Sequence, residues 1–195
     1  MKRAKSFWNR NAVIVFGVML AIIHLSDQFS QPSSKRTAYP NVHFKTQNGS
    51  DFALQSARSK YTIAAFFFTG CPTICPRMLT QMKRVQAVIS ISSNYCILFY
   101  SINPKGDTPQ KLLDYARKHH INSKHWLLLT GSADGLKAAS SFYALRGEAD
   151  SNDPGSFIHD GHFLLTNNET GATTRYLGTD SSSVDQLIKV VQSDL

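Results

Sequence analysis

Apolar residues follow two rhythms along this chain, and the rhythm changes at each candidate turn. Ile63-Ala64-Ala65-Phe66-Phe67-Phe68 is a short, unbroken apolar run, which predicts a strand buried on both faces. Directly after it, Met78, Leu79, Met82, Val85 and Ile89 recur at helical spacing and predict a helix over 76–91. The alternation repeats with a strand over 96–102, a helix over 109–120, a strand over 125–129 and a helix over 133–145. A Gly/Asp/Asn/Pro-rich loop at 147–156 follows. Then come a strand near 161–166, a turn at 167–171, a strand near 173–177 and a closing helix over 183–192. Ahead of the series, Val42 and Phe44, then Phe52 and Leu54, alternate with polar residues around Asn48-Gly49, the pattern of a hairpin. Apolar strands between helices imply a largely parallel sheet covered on both faces, with the closing strand pair as an antiparallel edge. The expected class is α/β: a thioredoxin-like fold, its central mixed sheet flanked by helices, with an extra N-terminal hairpin.

Residues 1–41 do not share these rhythms. Residues 1–11 are basic, and residues 12–25 are uncharged and mostly apolar. That run is shorter than the roughly 20 residues of a full membrane span, but no small-x-small cleavage site follows it. It predicts an uncleaved signal anchor, with Lys2, Arg3, Lys5 and Arg10 keeping the N-terminus in the cytoplasm. Residues 26–41 are polar and aperiodic, as in a flexible tether. The organisation predicted is thus anchor over 1–25, tether over 26–41 and folded domain over 42–195. Only 11 residues precede the apolar segment, too few for an Arg/Ser-rich transit peptide. The expected location is the bacterial inner membrane, single-pass, with the domain in the periplasm.

Charge supports that topology and excludes another function class. The net charge is +8, but seven of the 21 Lys/Arg and one of the 13 acids lie within residues 1–45. The remainder is close to neutral and has no Lys/Arg stripe interleaved with aromatics, so no nucleic-acid partner is expected.

The candidate chemistry lies between the first buried strand and its helix, in Thr69-Gly70-Cys71-Pro72-Thr73-Ile74-Cys75-Pro76. Proline suits the first helical position, which predicts Cys75 at the N-cap and Cys71 in the loop before it. Free N–H groups at a helix start favour thiolate over thiol, so both sulfurs are expected to be acidified and partly accessible. Such a pair can close a disulfide or hold a soft metal such as Cu(I) or Zn, given a further ligand. The third cysteine, Cys96, opens an apolar strand and reads as a small buried hydrophobe. Of the seven histidines, His43 reads as surface, and His119, His120 and His125 as solvated residues around a helix end. His159 and His162 lead into a strand that a thioredoxin-like sheet sets beside the first one. Either could complete the cysteine site. Asp107 could stand behind the ligands of the cysteine site, but Asp107-Thr108-Pro109 also reads as a helix cap with proline at the first position, the reading preferred.

From about Phe44 to its end, the chain resembles the Sco (SenC-type) copper-chaperone family of cytochrome c oxidase assembly. Phe66 to Pro76 resembles its aromatic-x-Thr-x-Cys-Pro-x-x-Cys-Pro signature. Ser101 to Pro109 resembles its Ser-Val-Asp-Pro-x-x-Asp-Thr-Pro segment, and Leu129-Thr130-Gly131 its Leu-Thr-Gly segment. His159, followed by Leu165-Thr166-Asn167, resembles the family's histidine before a Leu-x-Asp strand end. The chain departs from the pattern at Thr73 and Asn103, where the family often has Asp, and at Ile158, with an acid after the histidine instead of before it.

The resemblance implies copper, Cu(I) or Cu(II), held by Cys71, Cys75 and His159, and it selects His159 over His162. It implies a membrane-tethered copper chaperone that delivers the ion to the copper-bearing oxidase subunit in assembly of the CuA centre. Other copper chaperones or thioredoxin-like reductants are further partners it suggests. The alternative is a thiol–disulfide oxidoreductase, Cys71 and Cys75 cycling as a redox pair to keep the oxidase subunit's cysteines reduced. A peroxide-reducing relative of the same fold is a weaker reading, because no Thr-x-x-Cys arrangement is present.

Overall fold

The computed structural model describes residues 39–195 except 58, 91, 123, 144–146, 150–156 and 160. Among the described residues no helix is long and apolar enough to cross a membrane. The predicted anchor lies outside them.

The strands are β1 (His43–Thr46), β2 (Asp51–Ala53), β3 (Tyr61–Phe67), β4 (Tyr95–Ser101), β5 (Trp126–Gly131), β6 (Gly147–Ala149), β7 (Phe157–His159), β8 (His162–Asn167) and β9 (Thr173–Leu177). The helices are α1 (Ile74–Ile89), α2 (Pro109–Lys118), α3 (Ala133–Tyr143) and α4 (Ser181–Ser193). Seven strands form one sheet in the order β2-β1-β5-β4-β3-β8-β9. Its centre, β3, β4 and β5, is parallel. The flanking pairings are antiparallel. The sheet is therefore mixed, as expected, and the hairpin adds an antiparallel strand, β1, at the free edge of β5. Gly49 turns that hairpin at φ +79°, a conformation glycine adopts without strain. Gly131 lets the two strands meet, since a Cβ there would lie 2.6 Å from the Phe44 ring.

The continuous apolar runs are explained by two cores, one on each face of the sheet. Ile63, Ala65 and Phe67 of β3 pack with Met78, Met82, Val85 and Ile89 of α1, Leu112 of α2, and Val184, Leu187 and Val191 of α4. Ala64 and Phe66 point the other way, to Phe44, Leu98, Tyr100, Ala139 and Tyr143. Strand periodicity sends successive side chains to opposite faces, so a strand covered on both must be apolar throughout.

Two expectations are corrected. Glycine and polar residues pointed to a plain loop at 147–156, but its first residues form β6, paired antiparallel with β7 and bringing Gly147 opposite His159. His125 is buried, not solvated; it immediately precedes β5, and its carbonyl accepts from the Ile97 N–H. His43 and His120 are exposed as expected. Cys96 is half-buried against the second core, and burial pushes its thiol up to about 12.

Candidate metal and thiol site

The cysteine turn leaves β3 at the edge of the first core. Helix α1 begins at Ile74, with Thr73 as its N-cap residue. Cys75 is therefore the second residue of the helix and Pro76 the third, not the N-cap and first residue expected. Proline loses nothing there, because the first four N–H groups of a helix have no intrahelical acceptor. The shift carries Cys75 inward: it is 3% exposed, against 9% for Cys71. Neither is in a disulfide.

That difference in depth divides the two thiols chemically. Burial raises Cys71, but donors from Cys75 and Thr73, backbone and side chain, outweigh it and leave its pKa lowered. Burial raises Cys75 strongly, and the Cys71 sulfur and the Asp107 carboxylate add to the rise. The expectation of two acidified, partly accessible thiols is corrected: only Cys71 is acidified, and both are buried. Helix-start donors act on the sulfur outside the helix, while the sulfur inside it is desolvated.

The cap with Pro109 at the first position is present as expected, but Asp107 is not the capping residue of α2. The cap is Thr108, whose hydroxyl accepts from the Lys111 N–H. Asp107 is fully buried. Its carboxylate accepts from the Thr69 N–H at 3.0 Å, the Thr69 hydroxyl at 2.5 Å and the Ser101 hydroxyl at 2.6 Å. Lys111 Nζ lies 3.6 Å away. The start of the cysteine turn is thus tied to the ends of β4 and α2. A sequence signal for this existed: with Pro109 first in the helix, the N-cap is Thr108, and Asp107 has no role as a cap. Tyr115, on α2, is a residue the sequence reading did not single out. Its ring packs 5.8 Å from that of Phe67. Burial, then the Cys75, Cys71 and Asp107 charges, raise its phenol, so it shares the site's surroundings.

His162 opens β8, with Phe163 after it in the same core as both cysteines. Leu164, two residues from His162 and on its face of the strand, belongs to the opposite core. His162 therefore faces away from the thiols. The side chain of His159 lies outside the described residues; its backbone closes β7. Two residues on, Gly161 takes φ +67°, and a Cβ there would stand 3.5 Å from Ile74 Cδ1. The chain just past His159 thus passes against Ile74, the residue before Cys75. Among the described residues, no group of three or more His, Cys, Asp or Glu is placed to hold a metal ion.

Comparison with known proteins adds the family. The model of the family described as SCO1/SenC matches residues 31–194. The SCO1 protein homolog of Bacillus subtilis (strain 168) is 29% identical over 154 residues, covering 77% of this chain and 79% of that protein. The structure of BsSco, described as a member of the Sco family of cytochrome c oxidase assembly proteins and as carrying a disulfide switch, superimposes with a TM-score of 0.67. It is 24% identical and covers 82% of this chain and 94% of that one. Yeast Sco1 with copper bound gives a TM-score of 0.60 at 27% identity, covering 77% of this chain and 86% of that one.

Proposed function

The chain belongs to the SCO1/SenC family, and from that premise we propose that it is a membrane-tethered copper chaperone. Cys71 and Cys75 bind copper as thiolates, and the His159 imidazole completes the site. The ion passes by ligand exchange to the copper-bearing subunit of cytochrome c oxidase, in assembly of its CuA centre. The observation that carries this reading is the pairing of two thiols, unlinked, in one turn at the edge of the core. The passage of the chain beside Ile74 just after His159 supports the third ligand. Soft thiolates with one imidazole suit copper, and a site of few ligands suits release. The basic N-terminus and the uncharged apolar run over 12–25 support an anchor that holds the domain outside the cytoplasm. Copper titration of the purified full-length chain tests the site. One equivalent is expected for the native chain, and none held tightly by Cys71→Ser, Cys75→Ser or His159→Ala. Unaffected binding in all three variants overturns the assignment.

A specific observation also favours a second reading, thiol–disulfide exchange. A shallow, acidified Cys71 beside a deeper, raised Cys75 is the division expected between an attacking and a resolving thiol. This chemistry needs both cysteines and not His159. Oxidase assembly in cells carrying His159→Ala separates the readings: failure favours copper delivery, and full assembly favours exchange.

A further inference from the structure

We propose that Asp107 positions the cysteine turn and biases its thiolate pair toward a divalent rather than a monovalent ion. The inference rests on the copper reading above and concerns the charge state of the cargo.

The positioning follows from the hydrogen bonds. The Thr69 N–H and hydroxyl and the Ser101 hydroxyl donate to the Asp107 side chain, and the Lys111 ammonium pairs with it at 3.6 Å. A carboxylate accepts from all of them; a carboxylic acid would place a donor among donors. The Asp107 N–H in turn donates to the Asn103 carbonyl at 2.8 Å, so the loop after β4 holds the residue from its other side. Thr69 stands two residues before Cys71, and the Cys71 N–H donates to the Phe68 carbonyl at 3.2 Å. The carboxylate therefore lies within roughly 10 Å of the Cys71 backbone.

The charge bias follows from the burial. Asp107 is fully buried, whereas the side chain of Lys111 is 53% exposed. Water screens the lysine far more than the carboxylate, and a net negative field remains at the turn. Two thiolates and a neutral imidazole around Cu(I) carry a net charge of −1; around Cu(II) they are neutral. A nearby buried negative charge opposes the first state and leaves the second unopposed.

The test measures Cu(I) and Cu(II) affinities separately on the full-length chain, by competition with chelators of known strength. Asp107→Asn keeps the shape and removes the charge. It is expected to raise the Cu(I)-to-Cu(II) affinity ratio about tenfold, which is about +59 mV for the one-electron couple. Lys111→Gln removes the screened cation and is expected to move the ratio the other way, by about threefold. A purely structural role for Asp107 predicts no such opposition. A folded Asp107→Asn whose ratio stays within about twofold of native overturns the inference. So does a shift of both variants in one direction. Where Asp107→Asn does not fold, Lys111→Gln decides, and an unchanged or raised ratio overturns it. A native chain that binds no copper through Cys71 and Cys75 overturns the chaperone reading and this inference together. Native binding with an unmoved ratio overturns the inference alone.

Discussion

The same two parallel strands end in two carboxylate clusters, and the clusters differ in kind. At the N-terminal ends of β3 and β4, Asp194 accepts from Lys60 Nζ at 3.0 Å, the Tyr61 hydroxyl at 3.1 Å and the Tyr95 hydroxyl at 3.3 Å. At the C-terminal ends, Asp107 gathers Thr69, Ser101 and Lys111. Both join a carboxylate, hydroxyls and a lysine. The lower cluster is half-exposed, at Lys60 and Asp194, and fastens the end of α4 to the sheet. The upper one is buried and holds a loop that carries two thiols. Ligand sites in α/β sheets lie beyond the carboxyl ends of the strands, and the difference shows one physical reason. A buried carboxylate both orders a loop and projects charge, whereas an exposed one is screened.

The largest expected effect of breaking this comparison is at the upper end. Asp107→Ala strands the Thr69 N–H and the Ser101 hydroxyl in the core and is expected to destabilise the domain by about 3 kcal/mol, read from the urea midpoint. Ser101→Ala removes one of the donors and is expected to cost about 1–2 kcal/mol by the same measurement. At the lower end, Asp194→Asn is expected to change stability less than either, because Asp194 and Lys60 keep contact with water. Its signature is in acid. Pairing with Lys60, aided by the Tyr61 and Tyr95 hydroxyls and opposed by burial, holds the Asp194 carboxyl below its usual range. A carboxylate lowered on folding stabilises fully above its unfolded pKa, about 3.9 for Asp, and the contribution fades as pH falls through the folded value. The native chain should therefore lose an increment of stability below about pH 4 that Asp194→Asn lacks. Equal acid limbs in the two proteins would sink that assignment.

The thiols sharpen the same contrast within one turn. Under alkylation across a pH series, Cys71 should react first and reach its plateau below the ordinary thiol range, since its pKa is lowered. Cys75 should react slowly throughout, being buried and raised. Equal rates, read by mass spectrometry of the two sites, would contradict the division of roles.

Much of the molecule was legible before any coordinates. The unbroken run 63–68 correctly implied a strand covered on both faces, and the spacing of Met78, Met82, Val85 and Ile89 implied the helix packed on it. The hairpin was legible from Asn48-Gly49. The pairing of β1 with β5 was not, because an edge partner is chosen by distant backbone and leaves no mark on local periodicity. β6 escaped for a related reason: a three-residue strand among glycine and polar residues has no period to read. The cysteine pair was plain from spacing and neighbours. Its asymmetry was hidden, because one helical residue more or less decides whether a sulfur faces solvent or core.

The sequence by itself determined which groups this protein could use: two thiols in one turn between a buried strand and a helix, a histidine far along the chain, and basic residues ahead of an apolar segment. These are properties of residue type and spacing, which covalent order and local preference carry. Only the tertiary structure decided their relations. It set Cys75 below Cys71, turned His162 to the opposite face of the sheet, and brought Asp107 under Thr69, 38 residues earlier in the chain. Burial and through-space charge depend on what packs nearby, and that is settled by the folding of the whole sheet, not by any stretch of it.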